Sequence, residues 1–189
     1  MDIWCAIRTY PKHAAELGNQ MPKEPAFFLK ASSCLSSPNS IDTCGGDVHH
    51  EVELVLKFGE DLSPVEMAVG LDLTKRSVQD RLKSGSLPWA EAKAFRASAI
   101  VSEWVAYDSS ASFSLMKNGE FVQQGSLQEM HWSPEELIDK LSAWAPIKSG
   151  DILFTGTPAG VGPLQNGDRL TATLNRNEEQ VASFSIDCV

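Results

Sequence analysis

Residues 48–58 are the most regularly patterned stretch of the chain: Val48-His49-His50-Glu51-Val52-Glu53-Leu54-Val55-Leu56-Lys57-Phe58. Apolar side chains occupy its even positions from 52 to 56, while Glu51 and Glu53 occupy odd positions. This alternation is the two-residue period of a β-strand. Because every second side chain of a strand points to the same face, we expect Glu51 and Glu53 to share a face, about 7 Å apart along the strand.

Two interpretations of this carboxylate pair stay open from the pattern alone. Neighbouring carboxylates repel each other, and on a face with apolar neighbours a divalent cation would remove the conflict. Oxygen ligands favour Mg²⁺ or Mn²⁺ over zinc. The same spacing also fits the solvated outer face of an antiparallel strand. A cupin-like site is disfavoured, because His49 and His50 are adjacent and point to opposite faces.

Local signals along the rest of the chain predict many short strands and a few short helices. Helices are expected over 10–17, where Pro11 suits the first turn, and over 63–70 and 133–144, where a Ser-Pro pair precedes acidic residues. Asn118-Gly119 predicts the type I′ turn of a β-hairpin. This mixture favours an α+β fold.

Composition excludes several classes of protein. The 189 residues carry 16 Lys and Arg against 25 Asp and Glu, a formal net charge of -9, which opposes binding to nucleic acid or anionic membranes. No apolar run approaches the length of a membrane span, and the first residues lack a signal-peptide pattern. Four scattered cysteines without a CxxC pair favour reduced thiols. We therefore expect a cytoplasmic protein with a single domain over 1–189.

His13 and Glu16 form a second candidate pair. Residues three apart on a helix lie on the same face, so the carboxylate could orient the imidazole and raise its basicity. A histidine held in this way suits general base catalysis. An ordinary surface pair on a short helix has the same spacing, and this alternative also stays open.

A glycine-rich segment follows a predicted strand over 151–155. It contains Gly156, Gly160 and Gly162 together with two threonines and a proline. Backbone N–H groups in such loops can bind an oxyanion or a carboxylate. The segment lacks the Gly-Lys-Ser/Thr ending of a phosphate-binding P-loop, and a simple tight turn is the alternative.

Five sequence blocks follow one another in a fixed order. They are Tyr10-x-x-His13-x-x-Glu16, His50-Glu51-Val52-Glu53-Leu54, Leu71-Asp72-Leu73-Thr74-x-Arg76-x-x-Gln79-Asp80, Pro88-Trp89-x-x-x-Lys93-x-Phe95 and Gly150-Asp151-Ile152-Leu153-x-Thr155-Gly156-Thr157-Pro158-x-Gly160-Val161-Gly162. Together they resemble the fumarylacetoacetate hydrolase family, in particular its small acylpyruvate hydrolases and oxaloacetate decarboxylases. The resemblance spans nearly the whole chain.

The resemblance implies a mixed β-sandwich roll with a few short helices, usually assembled as a homodimer. It also implies a mobile N-terminal lid within residues 1–25, which carries the dyad of His13 and Glu16. The implied roles of the other residues are Mg²⁺ or Mn²⁺ ligation by Glu51, Glu53 and Asp72, a position beside the metal for Lys93, and substrate contacts from Lys30, Gln79 and Thr157.

The activity implied by the resemblance is metal-dependent C–C hydrolysis of acylpyruvate-type 2,4-dioxo acids through a pyruvate enolate. Decarboxylation or tautomerisation of oxaloacetate, and isomerisation or hydration of unsaturated oxo-acids, would use the same metal site. A catalytically silent binding protein is the alternative of another class. Its support is Ile7-Arg8-Thr9-Tyr10, which stands where relatives usually have Gly-x-Asn-Tyr.

Overall fold

The computed structural model describes residues 1–16, 18 and 20–189, and β-strands dominate them. The helices are α1 (Pro11–Glu16), α2 (Arg76–Ser84), α3 (Ala90–Lys93) and α4 (Pro134–Ser142). The strands are β1 (Ile3–Ile7), β2 (Ala26–Lys30), β3 (Leu35–Ser36), β4 (Ser40–Ile41), β5 (Val48–His50), β6 (Val52–Phe58), β7 (Pro64–Asp72), β8 (Thr74–Lys75), β9 (Ala99–Val101), β10 (Val105–Ala106), β11 (Ser112–Lys117), β12 (Glu120–Ser126), β13 (Ile152–Phe154), β14 (Gly162–Pro163), β15 (Arg169–Arg176) and β16 (Glu179–Cys188).

The strands form three sheets. The largest has eight strands in the order β2-β1-β13-β6-β7-β9-β3, with β10 paired to β7. A five-stranded sheet has the order β12-β11-β15-β16-β4, and a small sheet joins β14, β5 and β8. Parallel pairs such as β1 with β13 occur beside antiparallel ones such as β6 with β7. The mixed sheets and few short helices confirm the predicted α+β class.

The main core lies between the two larger sheets. Its apolar cluster joins Leu54 and Val69, from the central strands β6 and β7, to Leu115, Leu174 and Phe184, from the five-stranded sheet. These side chains are nearly or fully buried, which is the main source of stability in a β-sandwich. In the part of the chain that the structure describes, no helix is long and apolar enough to cross a bilayer.

Strands β6 and β7 also present an outer face, opposite this core. Side chains alternate along a strand, so Glu53 points away from the face that carries Leu54, and Asp72 points away from the face that carries Leu71. Gly70 pairs with Glu53 across the two strands. A Cβ at Gly70 would lie 2.8 Å from the carbonyl oxygen of Ile100. Any side chain at this position would therefore force the neighbouring atoms to move.

Two local predictions are confirmed. The hairpin of β11 and β12 turns at Asn118 and Gly119, whose φ values of 54° and 86° are those of a type I′ turn. Helix α4 begins after Ser133, whose hydroxyl accepts a hydrogen bond from the Glu136 N–H in a capping box. Helix α1 covers Pro11–Glu16, within the predicted 10–17; residue 17 lies outside the described residues.

The helix predicted over 63–70 is wrong, because this segment belongs to strand β7. The Ser63 hydroxyl donates to Asp61 Oδ1 at 2.6 Å, within a turn, and does not cap a helix. From Met67 onward β7 is fully buried, and it pairs with β6, β9 and β10. Tertiary pairing of this apolar run outweighs the local helix-start pattern.

The strand predicted over 48–58 is interrupted at Glu51, which separates β5 from β6. Gln123 reaches into the interruption, and its Oε1 accepts from the Val52 N–H at 3.0 Å. The Thr157 hydroxyl donates to the Val52 carbonyl oxygen at 2.8 Å. The backbone N–H and carbonyl oxygen of Val52 are thus both hydrogen-bonded by side chains. Glu51 and Glu53 lie on either side of this fixed residue.

Candidate metal and catalytic site

Three carboxylates converge where β6 and β7 meet. Glu51, Glu53 and Asp72 are all buried, and each offers an oxygen within 4.8 Å of the oxygens that the others offer. The Asp72 N–H donates to the Glu51 carbonyl oxygen at 2.9 Å, which continues the pairing of the two strands past the end of β6. Residues about twenty positions apart, Glu51 and Glu53 on one side and Asp72 on the other, therefore form one cluster of hard oxygen ligands.

Cationic side chains surround this cluster. Lys93 Nζ lies 2.8 Å from Glu51 Oε2 and 2.7 Å from Asp72 Oδ2. Lys30 Nζ lies 2.7 Å from Asp72 Oδ1, an ion pair by distance without hydrogen-bond geometry. Arg76 donates to Glu51 Oε1 at 2.6 Å. Glu51 and Asp72 are thus compensated by fixed positive charges.

Glu53 differs from its two neighbours. Burial, together with the charges of Asp72 and Glu51, raises the pKa of the Glu53 carboxyl well above its ordinary value. Its only hydrogen bond among the described residues comes from the Gly156 N–H, at 2.7 Å. A divalent cation here would supply the positive charge that Glu53 lacks, so the donor set fits Mg²⁺ or Mn²⁺.

The pKa shifts of Glu51 and Lys93 show that these two groups, unlike Glu53, compensate each other's charge. Although burial opposes ionisation, Lys93 and Arg76 outweigh it and lower the pKa of Glu51. Burial likewise opposes the charge of Lys93, but Asp72 and Glu51 outweigh it and raise the pKa of the ammonium. Lys93 therefore stays protonated at neutral pH and is a fixed positive charge.

The dyad forms as predicted in geometry. His13 Nδ1 lies 3.1 Å from Glu16 Oε2 on helix α1, and the His13 side chain is only 9% exposed. In the tautomer with the imidazole proton on Nδ1, His13 donates to the Glu16 carboxylate and Nε2 keeps a lone pair that can accept a proton. Helix α1 thus presents a base next to the carboxylate cluster.

The glycine-rich loop after β13 holds both parts of the site. The Gly156 N–H donates to Glu53, and the Gly160 N–H donates to both oxygens of Glu16 at 3.0 and 3.2 Å. Both glycines have a positive φ, and a Cβ at either would lie 2.0 Å from a neighbouring atom. The N–H groups of this loop therefore bind carboxylates that belong to the protein itself.

One cavity unites these groups. Its lining includes the three carboxylates and His13, four cationic side chains, and apolar and neutral polar side chains; the cations are Arg8, Arg76, Lys83 and Lys93. The volume of the cavity open to water is about 60 Å³. One water needs roughly 10–15 Å³ on the same scale. The cavity therefore suits a small anionic molecule.

The three residues expected to contact substrate have different positions. Gln79 and Thr157 line the cavity, although the Thr157 hydroxyl already accepts from Gln123 and donates to Val52. Lys30 is fully buried and does not line it; its Nζ also donates to the carbonyl oxygens of Lys93 and Ser98. Lys30 thus supports the carboxylates from outside the cavity.

The sequence alone predicts no role for Arg8, Arg76 or Gln123. Arg76 belongs to the quoted block around Asp72, so its spacing from Asp72 was the available signal. Gln123 lies on a predicted hairpin, and its contact with Val52 joins residues 71 positions apart. No sequence pattern reveals a contact of that range.

Comparisons with known proteins cover nearly the whole chain. Residues 2–184 match the family described as fumarylacetoacetate (FAA) hydrolase C-terminal. Oxaloacetate tautomerase YcgM of Escherichia coli (strain K12) is 38% identical over 192 residues, which cover 92% of this chain and 88% of that protein.

Solved structures agree. A protein from Oleispira antarctica superposes with a TM-score of 0.93 and 36% identity, covering 100% of this chain and 93% of the other. Fumarylpyruvate hydrolase from Pseudomonas aeruginosa, solved in complex with Mn²⁺ and pyruvate, has a TM-score of 0.89 and 29% identity, covering 100% of this chain and 89% of the other.

Proposed function

The chain belongs to the fumarylacetoacetate hydrolase family, and from that premise we propose that it is an enzyme that forms and reprotonates the enolate of a small 2-oxo acid. The first substrate to test is oxaloacetate, and the first reaction is its keto–enol tautomerisation. The observation that supports this most directly is one small cavity that holds three buried carboxylates, a carboxylate-oriented histidine and four cations. The similarity to an oxaloacetate tautomerase supports the choice of substrate.

Glu51, Glu53 and Asp72 would hold the divalent cation, Mg²⁺ or Mn²⁺. When bound, the cation would act as a Lewis acid that lowers the energy of negative charge on the 2-oxo group. The chain's own contribution is to hold three buried carboxylates close together, with Lys93 and Arg76 compensating the charge of Glu51.

His13 would move the proton. In the direction from keto to enol form, Nε2 takes a proton from C3 of oxaloacetate, and the C3–H electron pair becomes the C2–C3 double bond. Glu16 stabilises the imidazolium that results, and the Gly160 N–H keeps Glu16 in place. The His13 imidazolium then gives its proton to the enolate oxygen, which forms the enol and restores the neutral imidazole; the reverse sequence returns the keto form.

Lys93 would stabilise the negative charge that develops on the substrate. Its ammonium is buried and protonated, and it is fixed by Glu51 and Asp72. A preoriented charge in a site with little water stabilises an anion more than the same charge would in solution. Lys93 is therefore assigned an electrostatic role, and His13 alone is assigned the proton transfer.

Hydrolysis of an acylpyruvate is the second candidate. The same His13 could take a proton from water, and the hydroxide would add to the C4 carbonyl. The C3–C4 bond would then break, releasing a carboxylic acid and the enolate of pyruvate, which is protonated at C3. The similarity to a fumarylpyruvate hydrolase supports this reaction, and the enolate and its stabilising groups are common to both candidates.

Parallel assays test both candidates. Purified protein is given enol-oxaloacetate or acetylpyruvate with Mg²⁺, with Mn²⁺ and with a chelator, and the loss of ultraviolet absorbance of the enol is followed. We expect metal-dependent turnover of oxaloacetate in the wild type and in the control Asp80→Asn, which removes an exposed carboxylate from helix α2. Metal-dependent turnover of acetylpyruvate alone would favour hydrolysis. No turnover of either substrate would refute both and favour a silent binding protein.

A further inference from the structure

The four cations that line the cavity are of two kinds. Arg76 and Lys93 pair with the carboxylates of the site. Arg8 and Lys83 form no ion pair with any carboxylate in the described part of the chain: Lys83 Nζ donates to the neutral Gln79 Oε1 at 3.1 Å, and the Arg8 guanidinium has no hydrogen bond there. Two positive charges therefore line this cavity without an anion to balance them.

Arg8 also has an unusual backbone conformation. Its φ is 54°, in the left-handed region that non-glycine residues rarely adopt. The next residue holds this conformation in place: the Thr9 hydroxyl donates to the Thr155 carbonyl oxygen at 2.7 Å, and the Thr9 carbonyl oxygen accepts from the His131 N–H at 2.8 Å. Strained residues that the surrounding structure fixes are concentrated at functional sites.

The electrostatics of Lys83 agree with an uncompensated pair. Partial desolvation and the neighbouring charges of Arg76 and Arg8 lower the pKa of the Lys83 ammonium. The Lys83 ammonium also lies 5.1 Å from the centre of the Trp89 ring, which fixes its position over a cavity-lining side chain. An anion between Arg8 and Lys83 would relieve their mutual repulsion.

We propose that Arg8 and Lys83 form a subsite for a second carboxylate on the substrate, so that the enzyme selects dicarboxylic 2-oxo acids over monocarboxylic ones. The inference rests on the proposed function only in that the substrate is a 2-oxo acid, and it holds for tautomerisation and for hydrolysis alike. The guanidinium offers paired donors that match a carboxylate. In oxaloacetate the second carboxylate is the one on C4.

A competing apolar environment adjoins the cavity. Phe28 and Trp89 line the cavity and also an apolar groove that continues along Phe27, Leu29 and Pro88. A substrate that ends in an alkyl or aryl group would contact this groove and would not need Arg8. The comparison of ligands with and without the second carboxylate therefore separates the two environments.

The test measures binding as well as turnover. Calorimetry with Mg²⁺-loaded protein compares 3,3-difluorooxaloacetate, which cannot enolise, with pyruvate, which lacks the second carboxylate. The variants are Arg8→Asn, since asparagine tolerates a left-handed φ, Arg8→Lys and Lys83→Gln. The control is Arg81→Gln, which removes an exposed arginine paired with Glu91.

We expect Arg8→Asn to weaken difluorooxaloacetate binding about 10- to 100-fold and pyruvate binding less than about twofold, because a hydrogen bond between charged groups is lost. Arg8→Lys should retain part of the affinity, Lys83→Gln should lose less than Arg8→Asn, and Arg81→Gln should leave both ligands unchanged. Equal weakening of both ligands, or no change with either, would overturn the subsite. One further outcome is a wild type that prefers difluorooxaloacetate to pyruvate, and loses this preference in Arg8→Asn, without turning over oxaloacetate or acetylpyruvate. In that case the proposed function fails while the subsite stands.

Discussion

The carboxylate cluster and His13 line the same cavity, but the cluster and the dyad of His13 and Glu16 are constructed differently. Glu53 and Asp72 are at most 2% exposed and project from adjacent strands in the middle of the largest sheet. Glu16 is 36% exposed on a helix of six residues, and His13 is on the same helix. One part of the site is thus fixed by a continuous hydrogen-bonded ladder, and the other by a few contacts of a short helix.

This difference indicates a division of labour. Buried charges need precise compensation, which the rigid central strands and the surrounding lysines provide. A helix as short as α1 is marginal in isolation, so it depends on contacts such as the hydrogen bond from Gly160 to Glu16. We expect substitutions in the two parts to affect different measurements, metal affinity in the first and proton transfer in the second.

The largest effect is expected from Asp72→Asn. Loss of one ligand charge should lower activity by roughly three orders of magnitude or more, because the cation that stabilises the enolate is lost. Steady-state assays with saturating Mg²⁺ measure this, with Asp80→Asn as the matched control. Activity within about tenfold of wild type in Asp72→Asn would contradict the claim that the carboxylate cluster binds the cation required for activity.

His13→Gln should lower kcat by about 10²- to 10⁴-fold, the usual contribution of a general base. The metal dissociation constant should stay within about twofold of wild type, because His13 is not one of the three ligands. His131→Gln, which changes an exposed histidine, is the control. A His13 variant that loses metal affinity as well would contradict the division of labour.

Two glycines in one loop offer the sharpest comparison. Gly156→Ala should weaken metal binding, since the added Cβ collides with Thr9 Oγ1 and displaces the N–H that holds Glu53. Gly160→Ala should lower kcat roughly tenfold with little effect on the metal, since its Cβ collides with the Val122 carbonyl oxygen and displaces the N–H that holds Glu16. Metal titration and steady-state kinetics on both variants measure the contrast. Identical effects of the two substitutions would show that the loop acts as one unit.

The smallest effect is expected in stability. Glu53→Gln replaces a buried carboxyl whose ionised form lacks a cationic partner, while the amide oxygen can still accept from the Gly156 N–H. In a chelator, the melting temperature of this variant should exceed that of wild type by about 2–8 °C, which corresponds to roughly 1–2 kcal/mol in a chain of this size. Adding Mg²⁺ should raise the melting temperature of the wild type only. Thermal denaturation followed by circular dichroism tests both statements, and a lower melting temperature of the metal-free variant would contradict the assignment of Glu53.

Local patterns predicted those elements whose stabilising contacts are themselves local. The hairpin at Asn118-Gly119 and the helix after Ser133 depend on contacts within a few residues. The segment after Ser63 has the same local pattern as the one after Ser133, yet it is a strand, because its neighbours β6 and β9 pair with it. Strands that are distant in sequence determine the structure of the segment after Ser63, and a local sequence pattern carries no information about them.

The candidate site follows the same rule. Spacing and resemblance predict the carboxylates and the dyad, and the structure brings the three carboxylates and His13 to one cavity. The interruption at Glu51 was not foreseen, because Gln123 makes it from 71 residues away. The hydrogen bond between Gly160 and Glu16 spans 144 residues, and no spacing rule would reveal it.

The most direct test of the central claim is a titration with Mn²⁺ followed by electron paramagnetic resonance of the free ion. We expect one Mn²⁺ bound per chain in wild type and in His13→Gln, displaced by Mg²⁺, and binding at least about 100-fold weaker in Asp72→Asn and Glu51→Gln. Wild-type affinity in Asp72→Asn and Glu51→Gln, or no Mn²⁺ bound by the wild type, would contradict it.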